Sequence, residues 1–394
     1  MSVSVRVKLG NPVLLSWARE SAGYTVGQMA AYLGKPEDVI VAWEEGTEEP
    51  TYRQLEKIAN RVKRPLAAFF LPSIPEEPPV PADFRTLPGK REGRYEPRSL
   101  IAFREARTAL SDIRELLSEL ELDVVFSLPS FGLEADPEVE AAKVRASLGI
   151  SIEMQRTHCR DHYQALDMWR DALFDYGVVA MVFRMQMEDA RAFCLVQDNL
   201  AAVGLNSADA GYARIFSLFH EVCHLCLGQP GVSGGAPETA SGGRSAKLKL
   251  ERYCDQFAAG LLLPADNSAV AAALESVARD HSDESVEEVA RAFKVSRYVV
   301  LRRALDLGYV DRNAYWSTFS RWRDEEPKTR GSSSGADYVS QQLSHLGKRF
   351  AALIFSALDA DRISLYGASR LLAMDPRHFA KARRRTFGGV AHAR

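Results

Sequence analysis

Residues 216–228 read FSLFHEVCHLCLG and residues 250–264 read LERYCDQFAAGLLLP, and these two stretches decide what the centre of the chain is. Both have helical periodicity. In the first, His220-Glu221-x-x-His224 puts two imidazoles at i and i+4, about 400° of rotation apart and so nearly one above the other. Such a pair can share one metal ion. Glu221, about 100° further round the helix, can reach a water on that ion without ligating it. In the second stretch Leu250, Cys254, Phe257 and Leu261 form an apolar stripe, and Pro264 follows the helix end. Glu251 and Asp255, again at i and i+4, lie on the opposite side. Glu251 is the candidate third ligand, and Asp255 the candidate acceptor for the outer nitrogen of a ligating histidine. Two histidines, a glutamate and a water form a catalytic zinc composition rather than a closed structural one. The expected cofactor is Zn2+, with Glu221 as general base.

Upstream of the first stretch the apolar period shortens to 2 or to continuous runs. GVVAMVF (177–183), AFCLV (192–196) and AAVGL (201–205) predict a small antiparallel sheet. Helices are expected over 99–121, 137–148, 161–176, 210–227 and 266–278, with two or three more in 285–325 and again after 337. The fold class expected is α+β and mainly helical. Its parts are a helical N-terminal module (1–71), a proline-rich linker (72–98) and a zincin-like domain (99–280). A helical extension (281–326) and a helical C-terminal region with a basic tail (337–394) follow. PKTRGSSSGA (327–336) reads as a flexible linker, and the Gly/Ser-rich loop 228–247 as a flap over the cleft.

Taken together, the strands and the two helical motifs resemble the ImmA/IrrE family of metallopeptidases over about residues 135–275. There a His-Glu-x-x-His helix precedes one of the form E-x-x-C/A-N-x-F-A-A-x-L-L-M-P. The resemblance implies His220, His224 and Glu251 as ligands and Glu221 as catalytic acid/base. Asp255 stands where the family usually has Asn, and either side chain can accept the orienting hydrogen bond.

The run from Leu14 to Phe70 is similar to the helix-turn-helix domain of the Xre/Cro class, on Arg19-Glu20-x-x-Gly23, Leu33-Gly34, Trp43-Glu44-x-Gly46 and Pro50-Thr51. Thr25 and Thr51 are expected N-caps, Pro36 opens a helix that Gly46 stops, and Pro65 opens a fifth helix. The helix placed to enter a DNA groove reads PEDVIVAWEE, with four acids and no Lys, Arg, Gln or Asn for base edges. Better candidate nucleic-acid contacts are Arg297, Arg302 and Arg303 on a second helix–turn–helix-like segment (286–305), and Arg377, Lys381, Arg383, Arg384 and Arg385 in the tail. The alternative for these cations is a solvated helix face.

A net charge of −2 gives the whole chain no polyanion-binding signature. No apolar run reaches the ~20 residues of a membrane span, and no signal peptide is seen. Five cysteines, an odd number in apolar surroundings, fit reduced thiols and a cytoplasmic setting. His158 and His162 are also four apart, but no third ligand accompanies them. The function expected is that of a regulatory zinc-dependent endopeptidase acting on a protein partner such as a repressor or antitoxin. The alternative is a helix-turn-helix regulator or antitoxin-like binding protein with a non-catalytic metal site.

Overall fold

The computed structural model describes residues 5–78, 95–229, 232–233, 245–280, 282–325 and 337–388. Most of the proline-rich linker, the 327–336 segment and most of the expected flap therefore lie outside the described residues. The chain divides into two compact units, one from residues 1–80 and 91–105, the other from residues 81–90 and 106–394.

The first unit contains helices Val13–Ser21, Val26–Leu33, Glu37–Glu45 and Tyr52–Val62. Local chemistry sets their ends. Thr25 and Thr51 each form a capping box with the glutamine three residues on, which satisfies two backbone donors reciprocally. Gly34 and Gly46 stop helices in the left-handed conformation, a region that costs glycine nothing. The expected fifth helix is a five-residue 3-10 turn, Leu66–Phe70, rather than an α-helix. Leu15, Met29, Ile40, Trp43, Leu55, Ile58 and Phe69 fill one core between these elements. Arg19 crosses it, donating to Tyr24 O at 2.9 Å and pairing with Glu44 at 2.6 and 2.8 Å. One of the four acids on helix Glu37–Glu45 is thus held inside the unit, while Glu37, Asp38 and Glu45 are exposed. Arg104 donates to Val62 O, so the start of the long helix Pro97–Glu119 belongs to this unit.

In the second unit strands β1 (Val178–Phe183), β2 (Ala192–Gln197), β3 (Leu200–Asn206) and β4 (Val232–Ser233) form a sheet in the order β1-β3-β2-β4. The sheet is mixed, not antiparallel throughout. β2 and β3 form a hairpin on Asp198-Asn199, both at positive φ as a two-residue turn requires. The hairpin inserts β3 between β2 and β1, where it runs parallel to β1 with Val178 opposite Ala201. Every residue of β1 and β3 is buried, which explains their unbroken apolar composition. Gly204 leaves room for the Phe193 ring, which a Cβ would meet at 2.1 Å. Helix Gly211–Cys226 packs on β2 and β3, and helix Ser245–Leu262 packs on it and on helix Pro137–Leu148. Trp169 and Phe219 meet edge to face at 4.7 Å at the heart of this core. Among the described residues no helix is long and apolar enough to cross a membrane.

The outer edge of β1 is closed by side chains. Arg170, within helix His162–Phe174, donates to Ala180 O at 2.7 Å and His345 Nδ1 to Val182 O at 2.6 Å. The same guanidinium reaches Ser344 O and His345 O at 2.9 and 2.8 Å, capping the last turn of helix Tyr338–Leu346. An unpaired strand edge is a template for aggregation, and here one buried cation closes it and docks the C-terminal helix together. Arg170→Met should leave the buried Ala180 carbonyl and the half-buried Ser344 and His345 carbonyls without this donor and cost roughly 3–5 kcal/mol, from about 1.5–3 per charged hydrogen bond with partial relaxation. Urea unfolding of the full chain measures it. A loss below about 1 kcal/mol would show that water or another donor replaces the guanidinium.

Candidate metal centre

In helix Gly211–Cys226 every residue from Ser217 to Cys226 is buried. Its two histidines face helix Ser245–Leu262. The Nε2 atoms of His220 and His224 are 3.2 Å apart. Glu251 lies across from both, Oε2 at 3.4 Å from His220 Nε2 and Oε1 at 3.3 Å from His224 Nε2. Tetrahedral ligands about 2.0–2.1 Å from a zinc ion are about 3.3–3.4 Å from one another, and each of these separations is close to that, the two to Glu251 through different oxygens. Asp255 Oδ1 receives His220 Nδ1 at 2.9 Å. That bond turns the Nε2 lone pair toward Glu251 and His224.

Glu221 supports the same reading. It is fully buried, and neither carboxylate oxygen has a hydrogen-bond partner among the described residues. An ionised carboxylate left so is costly unless a cation or water serves it. The donor set and this carboxylate together fit a hydrolytic metal site.

A second donor set overlaps the first. The Cys254 thiol and the two histidines offer ligand atoms within 4.8 Å of one another. Cys254 interacts with His224, and burial holds its thiol well above the usual range. Glu251 faces both imidazoles through separate oxygens, and Cys254 lies beside His224. The sequence reading passed over Cys254 because it was counted in the apolar stripe, although it stands one residue from Asp255 on the same turn. Tyr253 packs near Phe131, ring centroids 6.1 Å apart.

Burial alone would lower both imidazoles, but acceptors outweigh it. Hydrogen bonds to Asp255 and Glu251 raise His220 to about 9, and Cys254 and Glu251 raise His224 to about 9. Below that pH a metal ion must displace protons from its ligands. Apparent zinc affinity should therefore rise with pH up to about 9, by up to about tenfold per pH unit for each proton displaced, and flatten above it. Competition with a chelator of known proton affinity across pH 6–10 measures this. A flat profile would show that these imidazoles do not hold protons that the metal replaces.

The other expected residues are dispersed. Arg303 is a correction: it is fully buried, donates to Leu263 O at 2.7 Å and clamps Glu138, so it cannot reach a nucleic acid. Arg302 is another, turned inward to Asp306 at 2.9 Å and toward Asp255 at 3.9 Å. Helix Arg297–Asp306 is held by these contacts, with one arginine buried because it is paired. Arg297 lies over the Trp322 ring, 4.5 Å from its centroid. In the tail, Arg383 pairs with Asp359 at 2.6 Å, while Arg385 and Lys381 share Asp337 at 2.7 and 3.4 Å. Arg377 is 3.7 Å from Asp375, and Arg384 is exposed. His158 bonds Thr157 at 3.1 Å while His162 meets Tyr212 edge to face at 5.6 Å, so the two have different neighbours. All five cysteines are free and buried, so the Cys223/Cys226 pair packs its helix.

Residues 175–305 match the peptidase M78 family model, described as the IrrE N-terminal-like domain. Residues 15–69 match a helix-turn-helix model. No curated protein matches the chain significantly.

Proposed function

From a chain that joins an N-terminal helix-turn-helix domain to a domain of the M78 metallopeptidase type, we propose a zinc-dependent endopeptidase that cleaves a protein partner. The observation that carries this is the convergence of His220, His224 and Glu251 at 3.2–3.4 Å, beside the Glu221 carboxylate, which has no hydrogen-bond partner among the described residues. A zinc ion held there would supply Lewis-acid polarisation of the scissile carbonyl and lower the pKa of its water to roughly 7. Glu221 takes the proton from the attacking water and delivers it to the leaving amine. Asp255 holds the His220 imidazole in register, and the enclosing apolar core keeps bulk water from competing for Glu221. Zinc content measured alongside cleavage of an unstructured protein tests the proposal, with Glu221→Gln as the discriminating variant. A repressor- or antitoxin-like substrate follows from the resemblance of the motifs. A cytoplasmic setting is supported by the free, buried thiols.

The helix-turn-helix domain favours a second reading, in which the chain also binds DNA. Its groove-facing helix keeps Glu37, Asp38 and Glu45 exposed, and phosphate binding needs cations. Residues 1–105, which include the helix start that belongs to this unit, should bind duplex DNA no better than a generic acidic-faced protein. Any binding by the full chain should trace to Arg297 or the 377–385 cluster. Salt titrations of affinity for both proteins measure it. Steep, sequence-selective binding by residues 1–105 alone would restore the DNA-binding reading of that domain.

A further inference from the structure

Arg302 and Arg303 are consecutive on helix Arg297–Asp306 and so point about 100° apart. Arg303 anchors the fold through Glu138 and Leu263 O. Arg302 goes elsewhere. We propose that Arg302 is a positioning residue for the metal centre, acting through Asp255 on His220; this rests on the metal reading above.

The path is short and little exposed: the Arg302 and Asp306 side chains are 19% and 13% exposed, and Asp255 and His220 are buried. Asp306 holds Arg302 Nε with both oxygens, at 2.9 and 3.0 Å, and so fixes the direction of the guanidinium. Its Nη1 lies 3.9 Å from Asp255 Oδ2, while His220 bonds Oδ1. Asp255 Oδ1 is 2.9 Å from His220 Nδ1. The carboxylate of Asp255 is thus drawn from both sides, with one oxygen on the imidazole and the other toward a cation. It cannot turn without losing one of them. That fixes the proton on Nδ1 of His220 and leaves Nε2 as the donor facing Glu251 and His224.

Charge balance points the same way. Glu221, Glu251 and Asp255 are three carboxylates no more than 5% exposed. Asp306, whose side chain is 13% exposed, is a fourth, so a divalent ion and Arg302 set three positive charges against four carboxylates. A buried charge without such compensation is strongly unfavourable. The 3.9 Å separation makes the link electrostatic rather than a direct hydrogen bond, which places its effect at the lower end of what orienting residues contribute.

The test uses the full-length chain and Zn2+ in competition with a chromophoric chelator, with helix content checked by circular dichroism. Arg302→Met and Arg302→Gln should each weaken zinc about tenfold, and Arg302→Lys should recover most of the loss. In an Asp255→Asn background, where the carboxylate charge is gone, the same neutral substitutions should change affinity less than about twofold. If Arg302→Met does not fold, Arg302→Gln carries the comparison. Native zinc affinity in the neutral variants would overturn the proposal. So would a tenfold loss that persists in the Asp255→Asn background, because Arg302 would then act through the fold at large. Failure of the native chain to bind zinc would instead overturn the metal reading and this inference with it.

Discussion

Glu221→Gln is expected to bind as much zinc as the native chain and to hydrolyse protein substrates about 10²–10⁴-fold more slowly, the range typical of a lost general acid–base group. Gln keeps the volume and the polarity of the side chain but cannot accept the proton. The site has little else to offer in its place. Glu221 is fully buried, and its oxygens make no other hydrogen bond among the described residues, so no fold-stabilising contact is lost with the charge. Metal analysis and turnover on an unstructured protein, measured on the same preparation, separate the outcomes. Unchanged turnover would remove Glu221 from the mechanism. Loss of zinc would make it a ligand instead.

The second large effect concerns the ligands. His220→Ala, His224→Ala and Glu251→Ala each delete one of three donors that lie 3.2–3.4 Å from one another, and each should weaken zinc by about 10²-fold or more. Asp255→Ala should cost about 10–100-fold, since it touches the ion only through His220. Cys254→Ser should change affinity little if the thiol merely neighbours His224. A Cys254→Ser variant that empties the site while Glu251→Ala keeps its zinc would transfer the third ligand from the carboxylate to the sulfur. That comparison decides between two donor sets that geometry alone leaves side by side.

Much of this was legible before any coordinates. Thr25, Gly34, Gly46 and Thr51 mark helix ends through bonds to residues at most four or five positions away, so local sequence carries them in full. The His220/His224 spacing and the Glu251/Asp255 spacing are equally local, each a single turn of one helix. The three strands were visible as short apolar runs near their observed bounds. The insertion of β3 between β1 and β2 was not, because pairing order depends on contacts between segments and leaves no mark in either segment's own period. The fifth helix of the first unit was misread for a related reason: five residues after Pro65 hold too few turns for the period to separate α from 3-10.

What the sequence determined by itself was the inventory: a capped helical module, apolar strands, and two helices that carry the candidate metal ligands. The tertiary structure alone decided how those faces meet, with Asp255 on His220 and the Glu251 carboxylate across both imidazoles. It also reversed the reading of two arginines. A cation on an amphipathic helix is assigned to solvent because burying an unpaired charge is costly. Arg303 and Arg302 escape that cost through Glu138 and the Asp255/Asp306 pair, carboxylates that another segment or turn supplies. Side-chain spacing is a property of one helix and can be read along the chain. Compensation of charge is a property of neighbours, and the neighbours are known only once the chain has folded.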